Sequence, residues 1–350
     1  MLVEKNASSV ATEPQAPPPQ TAMLQLLFGK HITYSLSAIA RLGVADQMGA
    51  LPIRVDQLAV RVGAHSGSLY RVMRTLACVG VFEELPEKRF TLTDVGKLLK
   101  TDAPGSLRYF AIQLGDQWST RPWEHFTDTV RTGEDAVNKA FGKNVFELLA
   151  DEPEQWEVFN RSMTNLSAAM VEPIVAAYDF SSIDRLADVG GGHGMLLSSI
   201  LKRYPQMHGV VYDLPEVVSG AIEKPHFAGC DDRVEIEAGN FFERVPTGCD
   251  AYIMKFILHD WSDDHCRKIL SLMRRELPEH GRVLICEQVV ADGPAPVPAK
   301  FTDIEMLALT VGGKERTAAE FGELFSSAGF KLTRVIETQS PVSVLEARVA

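Results

Sequence analysis

The most informative segment of this chain is Leu186-Ala187-Asp188-Val189-Gly190-Gly191-Gly192-His193-Gly194. It reads as an apolar strand that runs into glycines, with a helix beginning near Met195. Glycines here let the chain turn sharply and let a ligand approach the backbone at the carboxyl end of a strand. The spacing is not G-x-G-x-x-G, because Met195 stands three positions after Gly192. The stretch therefore predicts a ligand site at this strand end and disfavours a nicotinamide dinucleotide.

Apolar strand-like runs alternate with helical segments on both sides of this turn. The predicted strands are Leu186 to Val189, Val210 to Tyr212, Val234 to Ile236, Ala251 to Met254 and Val283 to Cys286. Helices such as Met195 to Arg203 and Asp263 to Leu277 lie between them, the second capped by Ser262. This alternation predicts an α/β fold, a doubly wound, Rossmann-like parallel sheet over residues 179–350.

Two carboxylates at strand ends indicate what the turn binds. Asp213 ends the second strand, where a carboxylate usually hydrogen-bonds ribose hydroxyls. Asp188 precedes the glycines, where it disfavours a pyrophosphate but suits a cationic ligand. Together they predict a nucleoside cofactor without a pyrophosphate, and S-adenosylmethionine fits this description.

The segment before the sheet divides into three predicted parts. Residues 1–20 are polar and Pro-rich, which predicts a flexible tail. Residues 21–105 predict a mostly helical winged-helix domain, with helices capped by Asp56 and Ser66 and a hairpin of residues 81–85 and 89–92. Residues 106–178 predict an aromatic-rich helical linker that contributes to a substrate pocket. The apolar faces of the winged helix favour packing and homodimer formation.

Charge and cysteine content bear on partners and compartment. The net charge of −11 disfavours a protein that coats nucleic acid, although residues 21–110 carry 11 Lys and Arg against 7 Asp and Glu. A winged helix that reads DNA and senses a ligand therefore stays open as an alternative. Five widely spaced cysteines, no signal peptide and no long apolar run predict a reduced, cytoplasmic protein without a membrane partner.

Five motifs in order make the chain recognisable. They are D-V-G-G-G-H-G (188–194), V-Y-D-L-P (211–215), A-G-N-F-F (238–242), K-F-I-L-H-D-W-S-D-D-H-C (255–266) and G-G-K-E-R-T (312–317). The chain resembles the caffeate and acetylserotonin O-methyltransferase family of small-molecule methyltransferases, over nearly everything after the tail. The resemblance implies an S-adenosylmethionine-dependent enzyme with a winged-helix dimerisation domain.

The resemblance also implies the cofactor contacts. Gly190 and Gly192 are expected against the cofactor, Asp213 on its ribose, and Lys255 at a further contact. The adenine is expected near Asn240 and Phe241. The family usually has aspartate where this chain has Asn240, whose side-chain carbonyl still accepts a hydrogen bond but without the strength that charge adds.

Methyl transfer to a hydroxyl requires a group that takes the hydroxyl proton. A phenol with a pKa near 10 is mostly protonated at neutral pH, whereas a histidine with a pKa near 6.5 accepts its proton. The family counterpart of His259 is this general base, and Glu287 and Glu315 match its two flanking glutamates. His193 and His265 are expected at structural or solvent-facing positions. No carboxylate cluster has metal-ligand spacing, so we expect no metal in the reaction.

The acceptor pocket is expected from the helix that contains Phe159 and Met163, which clamp a flat aromatic molecule. Met306 and Thr310 match further pocket positions, and Asp260 is expected on the acceptor side of His259. For the first four, packing in the core remains an alternative. The leading hypothesis is O-methylation of a small aromatic or polyketide-like acceptor. N- or C-methylation on the same fold and a relative that binds cofactor without catalysis remain alternatives.

Overall fold

The computed structural model describes residues 17–219 and 227–350. The chain divides into two compact units that meet between Gly96 and Lys97. Residues 1–16 of the predicted tail lie outside the described residues, and the first helix already begins at Pro19. Among the helices of the described ranges, none is long and apolar enough to cross a bilayer.

The first unit has the helix, helix and hairpin order that the sequence predicts. Its elements are α1 (Pro19–Leu27), α2 (Gly29–Arg41), β1 (Ile53–Arg54), α3 (Val55–Arg61), α4 (Ser66–Ala77), β2 (Phe82–Leu85), β3 (Arg89–Leu92) and, at its end, α5 (Asp94–Lys97). The strands β2 and β3 form the expected antiparallel hairpin, and β1 adds to it in the order β1-β3-β2. Helices α3 and α4 with this small sheet form a winged helix.

Both predicted helix caps in this unit are wrong. Asp56 lies inside the first turn of α3, and its carboxylate accepts from Gln57 N and from the Arg54 guanidinium. Pairing of β1 with β3 brings Arg54 to the helix start, so α3 begins one residue before Asp56. In α4 the cap is His65, whose Nδ1 accepts from Ser68 N, and Ser66 is the first helical residue.

The second unit begins with helices and continues into the sheet. The helices before the sheet are α6 (Arg108–Gln113), α7 (Gln117–Thr120), α8 (Phe126–Thr132), α9 (Ala136–Phe141), α10 (Val145–Ala150) and α11 (Pro153–Ala177). The sheet region contains β4 (Arg185–Val189), α12 (Met195–Arg203), β5 (His208–Asp213), α13 (Pro215–Val218), β6 (Val234–Ala238), β7 (Ala251–Lys255), α14 (Asp263–Glu276), β8 (Arg282–Gln288), α15 (Pro298–Leu309), α16 (Ala318–Ser327), β9 (Phe330–Glu337) and β10 (Val342–Val349). The predicted helical segment thus belongs to the same compact unit as the sheet.

The sheet has seven strands in the order β6-β5-β4-β7-β8-β10-β9. All five predicted strands are present and parallel, but the sheet is mixed, because β10 pairs antiparallel with both β8 and β9. The predicted doubly wound, Rossmann-like sheet is thus confirmed, and its antiparallel strands β10 and β9 lie at one edge. Strands β9 and β10 are joined by a short connection and form a hairpin, which imposes the antiparallel direction.

Side chains alternate between two apolar layers along the central strands. In β4, Leu186 packs into one buried cluster and Ala187 and Val189 into the other. Both faces are covered by helices, which explains why the strands read as nearly continuous apolar runs. The carboxyl ends of β4, β5, β7 and β8 consequently meet at one edge of the sheet, where the polar residues of the site lie.

Candidate active site

The glycine turn after β4 packs closely on Ile257 at Gly190 and borders open space at Gly192. Gly190 has φ +72°, and a Cβ atom there would lie 2.5 Å from Cδ1 of Ile257. Gly192 has φ +59°, and a Cβ atom there would meet no atom within 4 Å. Both positions need glycine for the left-handed backbone. The space beside Gly192 leaves the backbone accessible to a ligand, as the sequence predicts.

Asp213 closes this turn from the neighbouring strand. Its Oδ2 accepts the N–H of Gly192 at 2.8 Å, and its Oδ1 accepts the N–H of Leu214 at 2.7 Å. Burial raises the pKa of Asp213, while these two backbone N–H groups oppose the rise. A carboxylate oxygen keeps further acceptor capacity after one hydrogen bond, so Asp213 remains suited to bind ribose hydroxyls.

Asp188 and Lys255 are two titratable groups at the ends of β4 and β7 that influence the charge of one another. Burial raises the pKa of Asp188 to about 7, and burial lowers the pKa of Lys255, with each charge opposing the shift of the other. Within the described residues, Oδ2 of Asp188 is buried without a hydrogen-bond partner. Lys255 Nζ donates to Oγ of Ser167 on α11 at 2.8 Å, so this lysine also links β7 to the helix of the predicted acceptor pocket.

Asn240 is engaged with its own neighbours. Its Oδ1 accepts the N–H of Phe242 at 2.9 Å, and its Nδ2 donates to Glu243 at 3.3 Å. The expected hydrogen bond from an adenine amino group would therefore share an oxygen that already closes a local turn. Phe241 is partly buried and its ring lies near Gly190, as a Cβ atom on that glycine would be 3.8 Å from Cε1.

A strained turn presents His259 at the same sheet edge. Strand β7 ends at Lys255, and Phe256 follows with φ +54°, which is uncommon for a side chain of this size. A short 3₁₀ helix then spans Leu258–Asp260. The rings of Phe256 and His259 lie 5.3 Å apart. The chain thus reverses within a few residues and directs His259 toward the site.

Glu315 fixes the tautomer of His259. Nδ1 of His259 lies 2.8 Å from Oε1 of Glu315, and both residues are buried. Because a carboxylate only accepts, Nδ1 carries the proton and Nε2 is the basic nitrogen. Oδ1 of Asp260 lies 3.5 Å from Nε2, so the two carboxylates lie at opposite nitrogens of the imidazole.

The surrounding carboxylates change the basicity of His259. Burial lowers its pKa, but Asp260 and Glu315 outweigh burial and raise the pKa to about 9. The two carboxylates lie at opposite ring nitrogens, and each favours the charged imidazolium. Burial also raises the pKa of Asp260 to about 6, against the opposing effect of His259.

Glu287 supports the backbone rather than the imidazole. Its Oε1 accepts the N–H groups of Ile257 at 3.2 Å, Leu258 at 2.6 Å and His259 at 3.3 Å. Burial raises the pKa of Glu287 to about 7. The two glutamates thus have different roles in the structure. Glu315 contacts the ring, and Glu287 holds the turn that carries it.

A pocket of about 340 Å³ lies beside Asp260. Its lining includes Phe146, Asp260, Trp261 and Thr310, and the rings of Phe146 and Trp261 stack at 5.9 Å. The hydroxyl of Thr310 is used locally, since it donates to Met306 O and accepts from Gly313 N. Of the expected acceptor residues, Asp260 and Thr310 line this pocket.

The other expected acceptor residues do not line it. Phe159 packs within an aromatic cluster with Trp118, Phe146 and Trp156, at centroid distances of 6.0 to 6.2 Å. Met163 and Met306 are partly buried. His265 is one of the two histidines expected at structural or solvent-facing positions. Its Nδ1 shares a 2.8 Å hydrogen bond with Oγ of Ser262 at the start of α14.

Sequence reasoning missed Gly313 and Arg316, which lie in the same loop as Glu315. A Cβ atom on Gly313 would lie 2.5 Å from the carbonyl oxygen of His259. Arg316 is fully buried and hydrogen-bonds the turn around His259. The motif G-G-K-E-R-T was the available signal, but only its glutamate was assigned a role.

This Rossmann-like sheet, with its glycine turn and its histidine–glutamate pair at one edge, is typical of a methyltransferase. A family model described as the O-methyltransferase domain matches residues 123–331, and one described as the O-methyltransferase dimerisation domain matches residues 24–102. The chain belongs to the O-methyltransferase family, whose methyl donor is S-adenosylmethionine. The predicted family, class of enzyme and cofactor are thereby confirmed.

Individual relatives match over nearly the whole chain. The chain is 40% identical to phenazine O-methyltransferase PhzM of Lysobacter antibioticus over 333 residues, which are 95% of this chain and 97% of the relative. The crystal structure of LaPhzM matches with a TM-score of 0.90 and 39% identity, covering 95% of this chain and 100% of that chain. The structure of CalO1, a methyltransferase of calicheamicin biosynthesis in an S-adenosylhomocysteine-bound form, matches with a TM-score of 0.83 and 33% identity, covering 95% and 98% of the two chains.

Proposed function

We propose that this chain methylates a hydroxyl group of a small aromatic compound and that Nε2 of His259 accepts the hydroxyl proton. The observation that carries the proposal is the 2.8 Å hydrogen bond between His259 Nδ1 and Glu315, which leaves Nε2 basic. Nε2 lies 3.5 Å from Oδ1 of Asp260, and Asp260 lines the pocket. A phenolic acceptor needs such a base because its neutral hydroxyl is a weak nucleophile. An amine already carries a free lone pair, so a buried base favours a hydroxyl acceptor.

The residues around the glycine turn fit an adenosine cofactor with a cationic centre. We assign Gly190, Gly192 and Asp213 to the nucleoside, Asn240 and Phe241 to the adenine, and Lys255 to a further contact. S-adenosylmethionine supplies an electrophilic methyl group. The open space beside the Gly192 backbone supports this assignment, because it leaves room for a ligand at the end of β4.

The imidazole has a basicity suited to a phenol. Transfer of a proton from a hydroxyl with a pKa near 10 to a group with a pKa of about 9 is nearly balanced. Glu315 stabilises the imidazolium that forms, and Glu287 keeps the backbone of the turn in place. We propose that no metal ion takes part, because these carboxylates are directed at the imidazole and at backbone N–H groups.

The pocket supports a flat acceptor. Its walls include the stacked rings of Phe146 and Trp261, and its volume of about 340 Å³ is within the range of sites for small organic ligands. We propose Phe159, Met163 and Met306 as residues that shape the approach to this pocket. A hydroxyphenazine is the first acceptor to test, because the relative PhzM is named for phenazine O-methylation.

The first unit is proposed to form a homodimer. It matches a dimerisation domain, and α1 exposes Met23, Leu24, Leu26 and Leu27. Apolar side chains in one exposed helix favour burial against a partner chain. A solution mass of twice the chain mass is expected by light scattering, and a monomer at micromolar concentration would contradict the proposal.

The function is tested with His259→Ala and the control His280→Ala. His280 is an exposed histidine in the same unit, with a side chain that is 74% exposed. We expect His259→Ala to lower methylation of the phenolic acceptor roughly 10²–10⁴-fold while calorimetry shows unchanged binding of S-adenosylmethionine. Activity at the wild-type rate in His259→Ala would overturn the base assignment. A product methylated at nitrogen or carbon would overturn the proposal that the acceptor group is a hydroxyl. Loss of activity with a chelator would overturn the proposal that no metal ion takes part.

A further inference from the structure

Arg316 is a fully buried guanidinium that is not required by the cofactor or acceptor assignments. Its Nη1 donates to the carbonyl oxygen of Leu258 at 3.0 Å, and its Nη2 donates to that of Trp261 at 2.9 Å. Its Nε and Nη2 also donate to Oδ1 of Asp263 at 2.9 and 2.8 Å. The side chain therefore binds three points along one short segment of chain.

These three points bracket the catalytic turn. Leu258 lies immediately before His259, Trp261 follows Asp260, and Asp263 is the first residue of α14. The carbonyl groups at the two ends of the turn are thus joined through one rigid, planar group. Arginine suits this task because its donors form a fixed fork, whereas lysine offers a single flexible ammonium.

The turn is held from the other side as well. Glu287 accepts the N–H groups of residues 257, 258 and 259, as described above. Gly313 packs directly on the carbonyl oxygen of His259, and the N–H of Glu315 donates to Asp303 on α15 at 2.9 Å. The turn therefore lies between strand β8 and the loop that contains both Glu315 and Arg316.

Arg316 and Glu315 are neighbours in sequence but bind different parts of this turn. Glu315 binds the His259 ring and Arg316 binds the backbone on both sides of it. A shift of that backbone would change the distance between Nδ1 and Glu315, because the carboxylate is fixed through its own loop. The position of the guanidinium consequently controls the geometry of the hydrogen bond to the imidazole.

We propose that Arg316 is a positioning residue for the methyl-transfer reaction, which sets the place of the His259 imidazole relative to Glu315 and the acceptor. The proposal rests on the proposed role of His259 as the base. A displacement of about 1 Å in a reacting group costs on the order of 10²-fold in rate. The loss is expected in kcat, since the hydrogen bonds of Arg316 go to the turn around His259, to α14 and to its own loop, and not to the residues assigned to the cofactor.

The test compares Arg316→Lys with Arg267→Met in the full-length protein. Arg267 is an exposed arginine of α14 that binds Asp264 and Ser327, so its loss leaves the turn intact. We expect Arg316→Lys, which keeps the charge, to lower kcat roughly 10–100-fold. Its affinity for S-adenosylmethionine should stay within about threefold of wild type, and Arg267→Met should behave as wild type.

The pH profile separates positioning from general destabilisation. A longer Nδ1–Glu315 distance weakens one of the interactions that raise the pKa of His259, so the acidic limb of kcat should move to lower pH in Arg316→Lys. The ¹⁵N signals of His259 should report the same change in the folded protein. A variant that is merely less stable would lower the melting temperature without moving this limb.

Asp263→Asn gives a milder second variant if Arg316→Lys does not fold. The partly exposed Asp263 anchors the guanidinium. Its neutralisation should therefore lower kcat by a smaller factor and should shift the acidic limb of the pH profile less far toward low pH. Wild-type kcat and an unmoved limb in a folded Arg316 or Asp263 variant would overturn the proposal. Full activity of His259→Ala would instead overturn the proposed function on which it rests.

Discussion

Nδ1 of His259 lies 2.8 Å from Oε1 of Glu315, although 56 residues separate the two positions along the chain. The contact joins the end of β7 to the loop after α15. It determines which nitrogen is basic and, together with Asp260, it raises the pKa of the imidazole to about 9. The basicity of the site is therefore a property of two distant segments that the fold brings together.

The first prediction concerns the pH dependence of wild type and Glu315→Gln. A protonated imidazole cannot act as a base, so kcat/KM should rise with pH and level off only above the raised pKa of His259. Removal of the Glu315 charge removes one of the interactions that raise the pKa of His259, so the acidic limb of the kcat/KM profile should move to lower pH. The plateau value of kcat/KM should fall roughly ten- to thousandfold. Initial rates between pH 6 and 10 measure both effects. An unmoved limb in Glu315→Gln would show that this carboxylate does not control the base.

The second prediction concerns Gly313→Ala. The added methyl group would lie 2.5 Å from the carbonyl oxygen of His259 and 2.8 Å from the carbonyl carbon of Asp260, so the catalytic turn must shift. We expect kcat to fall by about 10²-fold or more. Gly322→Ala in helix α16 is the matched control, since its methyl group would lie 3.9 Å from Leu332. Equal activity of the two variants would contradict the close packing of this loop on the turn.

Parts of the fold were predictable because a buried strand appears in the sequence as a short run of apolar residues. Four of the five parallel strands are mostly buried, and short apolar runs such as Val283 to Cys286 identify them. The fifth, β6, alternates apolar residues with Glu235 and Glu237. Strand β9 was missed because most of its side chains are exposed and its pattern is irregular. The predicted caps at Asp56 and Ser66 are wrong because contacts distant from the cap residue decide where each helix begins. These contacts are the pairing of β1 with β3 for α3 and the hydrogen bond to the His65 ring for α4.

The sequence motifs single out candidate residues for the site but do not define its geometry. Motif order singled out His259, Glu287 and Glu315, yet it gave both glutamates the same role. The distinction depends on which donors each carboxylate meets, namely an imidazole for Glu315 and three backbone N–H groups for Glu287. The raised pKa of His259 also depends on through-space distances, which sequence separation does not contain.

The third prediction concerns the stability provided by Glu346 in strand β10. This buried carboxylate accepts from Tyr178 at 2.5 Å and Thr333 at 2.9 Å and pairs with Arg334 and Arg348. Burial alone would raise its pKa, but the hydrogen bond from Arg334 and the other donors lower it to about 2. We expect Glu346→Gln to reduce the free energy of unfolding at pH 7 by up to about 3 kcal/mol.

The same carboxylate defines a pH window for stability. Because its pKa in the folded state is below that of an unfolded glutamate, its contribution is present above pH 4.5 and is lost as the pH falls toward 2. Denaturant unfolding at pH 7 and pH 3 should therefore show a smaller difference between wild type and Glu346→Gln at pH 3. The exposed Glu337 of β9 is the control, and Glu337→Gln should change little at either pH. A constant difference for Glu346→Gln would contradict the assigned interaction.

The last prediction concerns Asp213 and the cofactor. Its carboxylate accepts the N–H groups of both Gly192 and Leu214, so an amide in its place presents an NH₂ group to one of these donors. Asp213→Asn should therefore distort the glycine turn and lose a charge-assisted acceptor for the ribose, which together weaken binding of S-adenosylmethionine roughly 10–100-fold. Calorimetric titration measures the change, with Glu216→Gln as an exposed neighbour whose affinity should match wild type. Unchanged affinity in Asp213→Asn would place the ribose elsewhere. Loss of affinity in Asp213→Asn but not in His259→Ala would separate the proposed cofactor contact from the proposed base.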